Sequence, residues 1–392
     1  MTTVLFNTHD IVLLITIYQC VLFALFLLTF KKGNKQSNLL LALFLLSYAA
    51  IPLDSLINYG AAFRAHVIEV SPNIFYFFGN AYWLEAVILL FYVRSLIYKK
   101  FTFSKYDFLL FVPFLCYLIY EINIWFIVDH GNKVAMLNNY QAAEEPLYSR
   151  FIGLFRECFR LFCGLLCLIE LQRYQTKIKD KFANIESVDL TWLKILVIGF
   201  LFIRADAILV SLAMFSSFEF GLIIDYELLG LISNYTVLLL ISVLIFFSLR
   251  FSSVFKGIES NETTAPPLDK SPIDPQLVDN ILLYMKNEKP YLNHLLTLDN
   301  LASQLSIPPR YLSQAINRHF KQNFFEFING YRIDESKQLL QLSENRQVTM
   351  LKIMDRAGFN SKATFNTFFK KLVGLTPTQY RKEHSRSDTK AA

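Results

Sequence analysis

The sequence predicts an all-α protein in two parts: a seven-helix transmembrane bundle followed by a soluble double helix-turn-helix domain. Three observations carry that expectation. Of the 392 residues, 54% are hydrophobic and only 18% charged, too apolar a balance for an ordinary soluble chain of this length. Seven stretches reach the roughly 20 residues that a helix needs to cross a bilayer. Charge is unevenly shared: residues 1–269 carry 20 Lys/Arg against 21 Asp/Glu, a net of −1, whereas residues 270–392 carry 18 against 11, a net of +7. A basic tail behind an apolar body suits a polyanionic partner.

The spans are expected at about 10–30, 38–58, 73–97, 106–128, 150–171, 192–215 and 228–249. The first is about twice the length of a signal-peptide core and is followed by Lys31 and Lys32 rather than a small-residue cleavage site, so it reads as an anchor. The connections after spans one, three and five hold Lys31, Lys32 and Lys35; Lys99, Lys100 and Lys105; and Arg173, Lys177, Lys179 and Lys181. Those after spans two, four and six hold little beyond Arg64 and Lys133. Positive loops stay in the cytoplasm, which puts the N-terminus outside and the C-terminus inside, and Arg250 and Lys256 after the last span agree.

Several membrane chemistries are absent from these spans. The last span has no lysine for a retinal Schiff base, and neither the helical zinc-protease pattern nor Gly-x-Ser-x-Gly occurs. The five cysteines lie inside apolar runs and read as small apolar residues. Cys163 and Cys167 stand one helical turn apart, but no His or further Cys completes a ligand set, so neither a metal nor another cofactor is expected. What is unusual is a set of ionisable residues at membrane depth: Glu85, Glu121, Arg156, Glu157, Arg160, Arg204 and Asp206. Each costs at least ~2.5 kcal/mol on insertion scales, so they are expected to face inward and find partners. Interhelical ion pairs, a pocket for a small-molecule or lipid ligand, and an ion or proton path are the three uses such a set could have.

The boundaries follow from composition: a sensor domain over 1–250, a cytoplasmic linker over 251–275 marked by Pro266, Pro267, Pro272 and Pro275, and a DNA-binding domain over 276–392. In the tail, Thr297 precedes a short helix whose Leu298, Leu301, Ala302 and Leu305 form one face. A turn at Pro308-Pro309 then opens a second helix with Leu312, Ile316 and Phe320 inward and Arg310, Ser313, Gln314 and Asn317 outward. The pattern repeats: Thr349 caps a helix that Gly358 stops, and Ser361 caps a second with Phe365, Phe368, Phe369 and Leu372 inward and Lys362, Ala363, Asn366, Thr367 and Lys370 outward. Between the two units, Asn323 and Glu326 form a capping pair at the head of one connecting helix. That helix can set the second recognition helix about one DNA turn from the first.

From about Leu296 to Arg381 the tail resembles the DNA-binding domain of the AraC family of bacterial transcription regulators, most specifically in "AGFNSKATFNTFFKKLVGLTPTQYR". The family's Gly-Phe falls on Gly358 and Phe359, its inward Phe on Phe365 and Phe369, and its closing Thr-Pro and Tyr-Arg on Thr376, Pro377, Tyr380 and Arg381. The resemblance implies base contacts from Arg310, Ser313, Gln314 and Asn317 in the first unit and from Lys362, Ala363, Asn366 and Thr367 in the second, with Ser361, Lys370 and Arg381 completing the DNA-binding set. Met354 stands where the family usually has a small Ala, a bulk that would open the crossing of the second helix pair.

The combined expectation is a membrane-integrated one-component transcription regulator of the bacterial inner membrane, not an enzyme. Its partners would be double-stranded promoter DNA and the bilayer, with a second copy of the chain, and RNA polymerase for an activator, as further protein partners. The alternative is a membrane transporter or enzyme whose tail binds DNA or protein as autoregulation.

Overall fold

The computed structural model describes residues 7–29, 34–98, 101–138, 146–185, 190–222, 226–251, 274–342 and 347–389. The expected linker lies, but for its ends, outside the described residues, as do Lys31, Lys32, Lys99 and Lys100. The chain divides into two compact units, one formed by Met1–Gln172 and Leu190–Asn261, the other by Arg173–Asp189 and Glu262–Ala392.

The first unit holds α1 (Thr8–Thr29), α2 (Lys35–Tyr59), α3 (Ala61–Val70), α4 (Ala81–Ile97), α5 (Val112–Glu121), α6 (His130–Asn138), the first part of α7 (Leu147–Lys181), α8 (Thr191–Phe220) and α9 (Tyr226–Phe251). Helix α1 packs against α2 and α9, α2 against α4, and α8 against α9. Among the described residues, six segments are long and apolar enough to cross a membrane: Thr8–Thr29, Lys35–Tyr59, Pro72–Ile97, Lys105–Phe126, Thr191–Phe220 and Gly230–Phe247. The fifth expected span is a helix too, but α7 carries Arg156, Glu157, Arg160 and Glu170 among its apolar residues and falls short of that apolarity.

Two spans that the sequence presents as continuous helices are broken. Before α4 the chain makes 3₁₀ turns at Pro72–Ile74 and Phe77–Asn80, with Tyr76 between them in the left-handed region at φ 65°. Pro72 supplies no amide hydrogen and a non-glycine residue disfavours that conformation, so a regular helix cannot run through. Around α5 the chain enters through a 3₁₀ stretch, Lys105–Phe111, closed by a Ser104–Asp107 capping box, and leaves through a π turn, Ile122–Phe126. The short helices α3 and α6 fill connections that the sequence leaves unassigned.

The second unit holds α10 (Pro275–Asn287), α11 (Leu298–Gln304), α12 (Pro309–Arg318), α13 (Phe324–Gln341), α14 (Met350–Arg356), α15 (Lys362–Val373) and α16 (Pro377–Thr389). Its helix starts follow the sequence signals. Thr297 accepts from the Asn300 amide at 3.2 Å, Thr349 from that of Lys352 at 3.3 Å, and Asn323 from that of Glu326 at 2.9 Å, with Glu326 reaching back to the Asn323 amide.

Two cores flank α13. Phe324, Phe327 and Ile328 join Leu301, Leu312 and Ile316 in the first, while Ile333 and Leu340 join Ile353, Phe365 and Phe369 in the second. At 18 residues and 1.5 Å per residue, α13 spans about 27 Å and is the shared wall of both helix-turn-helix units. Met354 is buried in the second core, and its carbonyl accepts from Phe359 N at 3.0 Å. Leu372, expected inward, is 52% exposed. It is the penultimate residue of α15 and stays outside the second core, against which its neighbour Val373 packs.

Candidate functional site

The basic tail places its expected DNA readers on two helices. On α12, Arg310 and Asn317 are exposed while Ser313 and Gln314 are half-buried, over a helix base of buried Leu312, Ala315 and Ile316. Asn317 Nδ2 donates to Ser313 Oγ at 3.3 Å, so these two side chains present one joined polar surface. Tyr311, exposed beside Arg310, is an aromatic that the sequence reading passed over. On α15, Lys362, Ala363, Asn366, Thr367 and Lys370 are all exposed and Phe365 and Phe369 buried beneath them.

Two residues of the expected set are placed differently. Ser361 is 6% exposed and its hydroxyl accepts from the Thr364 amide at 3.2 Å, so it is occupied as the cap of α15 and not presented outward. Arg381 is half-buried, donates to the Val348 carbonyl at 2.8 Å and so holds the loop before α14. Burial lowers its pKa below the usual arginine value.

Behind this surface sits Gly358, in the left-handed region at φ 85°. A Cβ there would lie 2.5 Å from the Tyr291 carbonyl oxygen and 2.9 Å from Leu292 Cα. Glycine is therefore required twice, by conformation and by the approach of two backbone segments.

The membrane-depth charges converge in part. Arg160, 1% exposed, donates from Nε to Glu85 Oε1 at 2.8 Å and from its two terminal nitrogens to Glu85 Oε1 at 2.5 Å and to both Glu157 oxygens at 2.8 Å. Arg204 stands 3.4 Å from Glu157 and 3.8 Å from Glu85, and Arg156 Nε donates to Glu157 at 3.1 Å. Three helices, α4, α7 and α8, thus bring three guanidinium groups onto two carboxylates, one positive charge in excess within the group, and the half-buried Asp54 carboxylate stands near Arg156 as a further opposite charge. The Tyr82 ring lies beneath Arg156 and Arg160, at 4.2 and 5.1 Å from the two guanidinium carbons. Its place one turn before Glu85 on α4 is the signal that could have found it.

Glu121 and Asp206 stand outside this group. Glu121 accepts from Asn80, and a Cβ on Gly79 would lie 3.9 Å from both Glu121 Oε1 and Asp54 Oδ1, so its neighbour is a second carboxylate. Asp206 is half-buried and its Oδ2 has no hydrogen-bond partner. A further ionic group escaped the sequence reading: Arg94 with Asp107 at 2.6 Å and Glu170 at 3.3 Å, the latter also accepting from Tyr98 at 3.1 Å.

Known proteins resemble the second unit. Residues 301–383 match the family described as a helix-turn-helix domain. These residues form an AraC-type helix-turn-helix domain. The chain is 30% identical over 105 residues to the HTH-type transcriptional regulator YtdP of Bacillus subtilis, covering 27% of this chain and 13% of that protein. It is 25% identical over 128 residues to the transcriptional regulatory protein HptR of Staphylococcus aureus, covering 33% of this chain and 48% of HptR. Among solved structures, the C-terminal domain of AraT, a response regulator from Geobacillus stearothermophilus, is 30% identical and covers 29% of this chain and 88% of that one, at a TM-score of 0.25. The chain spans about half or less of the curated relatives' length, and the matched family covers none of the apolar unit.

Proposed function

We propose that the chain is a membrane-integrated one-component transcription regulator, with the first unit sensing a periplasmic or membrane-borne signal and the AraC-type domain binding promoter DNA sequence-specifically. The observation that carries this reading is the pair of second helices, α12 and α15, each exposing short hydrogen-bonding or basic side chains from a buried base and both braced by α13. That is the arrangement by which helix-turn-helix proteins lay a recognition helix in each of two successive major-groove segments. Arg310 has the fork geometry for guanine, Gln314 and Asn366 suit adenine, and Lys370 suits a phosphate.

In this reading α7, fifth in chain order, is also a span and completes the seven. Its Arg160 and Glu157 are neutralised among themselves and by Glu85, which removes most of the penalty that its charges would otherwise incur in lipid. Exposed Ile11, Leu22 and Leu25 on α1 and Phe202 and Leu209 on α8 then face the acyl chains. The same cluster, with its excess positive charge, is the place where a small-molecule or lipid signal would shift the helix packing.

Full-length protein in lipid nanodiscs, offered a random DNA pool, tests the reading. Two short protected blocks roughly 10 bp apart on one face of the selected DNA are expected. Failure to enrich any sequence at low salt would end the reading and favour a protein-binding tail.

A further inference from the structure

Within the second unit, the peptide that follows α7 is built into the helix-turn-helix domain. Phe182 makes an antiparallel bridge with Thr297, the residue that caps α11. The Ala183 amide donates to the Leu296 carbonyl at 3.2 Å, and the Ala183 carbonyl accepts from Asn329 Nδ2 and from Arg332, each at 3.2 Å. Ala183 itself is 1% exposed, part of the first core.

Arg332 is the hub of this contact. It is 1% exposed, and among the described residues no carboxylate pairs with it. Its hydrogen bonds go to the carbonyls of Tyr291 at 2.7 Å, Asn293 at 2.9 Å and Ala183, and to Asn329 Oδ1 at 3.3 Å. Desolvation pushes its pKa down to about 10. A buried guanidinium held only by carbonyl dipoles depends on each of them, because losing one leaves a desolvated donor. The guanidinium carbon also lies 5.7 Å from the centre of the Phe359 ring, just before α15, and Tyr291, whose carbonyl it holds, is the residue against which Gly358 packs. Arg332 therefore touches the inserted peptide, the support of α11 and the approach to α15.

We infer that Phe182–Ala183 is a regulatory docking strand: seated, it holds α11 and α13 in the DNA-binding arrangement, and unseated, it releases them. The inference rests on the regulator reading above. Helix α7 carries Arg156, Glu157 and Arg160 of the buried ionic cluster and ends at Lys181, one residue before the strand. The hydrogen-bonded backbone of α7 runs without a break from these residues to the docked peptide, and in this proposal it is the route by which a shift at the cluster reaches the strand.

Full-length protein in nanodiscs, with the DNA that the wild type selects, provides the test. Ala183→Trp, too large for its site, is expected to weaken DNA binding at least fivefold. The double variant Phe182→Cys with Thr297→Cys places two thiols at a directly opposed, non-hydrogen-bonded antiparallel pair, where Cα atoms lie about 4.5 Å apart, within the span of a disulfide, and is expected to cross-link under mild oxidation, as peptide mass mapping would show. Cross-linked protein should bind at least as tightly as the wild type. Arg204→Gln, which loosens the ionic cluster but spares the Arg160 pairs, is expected to shift affinity at least fivefold, and the shift should vanish once the strand is cross-linked. A shift that survives cross-linking, a Cys pair that does not cross-link, or changes under twofold for both Ala183→Trp and Arg204→Gln would overturn the inference. A wild-type chain that selects no DNA would instead end the regulator reading, and the coupling with it.

Discussion

Arg160 and Arg156 lie one turn apart on α7 yet have different worth. Arg160 is almost wholly buried and pairs with two carboxylates, so Arg160→Met leaves Glu85 and Glu157 desolvated without their main donor, a change that costs about 3–5 kcal/mol when a buried pair is broken. Arg156, at 27% side-chain exposure, reaches only Glu157 among these carboxylates and rests on Tyr82. Arg156→Met should cost a small fraction of that. Thermal unfolding of the two variants in detergent checks the order; equal losses would mean that the cluster is not centred on Arg160. The DNA readers differ in the same way. Arg310→Ala should relax base preference in one protected block and Asn366→Ala in the other, by about 1–3 kcal/mol at the bases concerned. Lys370→Ala should weaken all sequences alike. Site selection with the three variants separates these outcomes, and loss of the same bases by Arg310→Ala and Asn366→Ala would contradict a two-groove arrangement.

At the scale of elements, the junction at Gly358 decides whether α15 is held in place. Gly358→Ala combines a positive φ, which costs an L-residue roughly 1–2 kcal/mol, with a methyl 2.5 Å from the Tyr291 carbonyl. Hydrogen exchange should therefore speed up most in α14 and α15, with a smaller rise in α11 and α12, whose core includes Tyr291. Uniform exchange across all four would show one core where two are described. The docked peptide makes a second prediction for an element. Residues 262–392 without 173–189 lack the Ala183 carbonyl, so Arg332 and Asn329 each lose an acceptor, at about 1–3 kcal/mol for an unsatisfied buried donor. That fragment should unfold at lower denaturant than one to which a 173–189 peptide is added in excess. The caps of α11, α13 and α14 were legible beforehand, because a cap involves residues three apart. The breaks before α4 and after α5 were not, since an apolar run looks alike whether its backbone is α, 3₁₀ or π.

For the whole molecule, net charge and topology make the predictions. The tail's +7 against the −1 of the remainder implies binding that falls steeply with salt as phosphate counterions are released. Affinity measured across a salt series should give a straight descending line in logarithmic coordinates, and a flat one would remove the polyanion from the account. With α7 as a span, alkaline phosphatase fused after Asn138 should be active and fused after Lys181 inactive. The reverse order, or activity at both, would refute seven spans with the tail inside.

The sequence by itself determined what depends on near neighbours and on sums: the all-helical class, the apolar segments, the basic tail, the caps, the glycine stop at 358 and the two helices that present Arg310 and Asn366. Helical period and capping act over three or four residues, so they are written locally. Only the tertiary structure decided which charges meet. Arg160 finds Glu85 at 75 residues' separation, and Glu121 and Asp206, equally charged in the sequence, stay apart from them. It also decided that Arg381 holds the loop before α14, and that Arg332, an ordinary basic residue by pattern, is buried against a carbonyl 149 residues away. Such pairings depend on how helices stack, and a buried charge takes whatever partner the packing brings within hydrogen-bond reach.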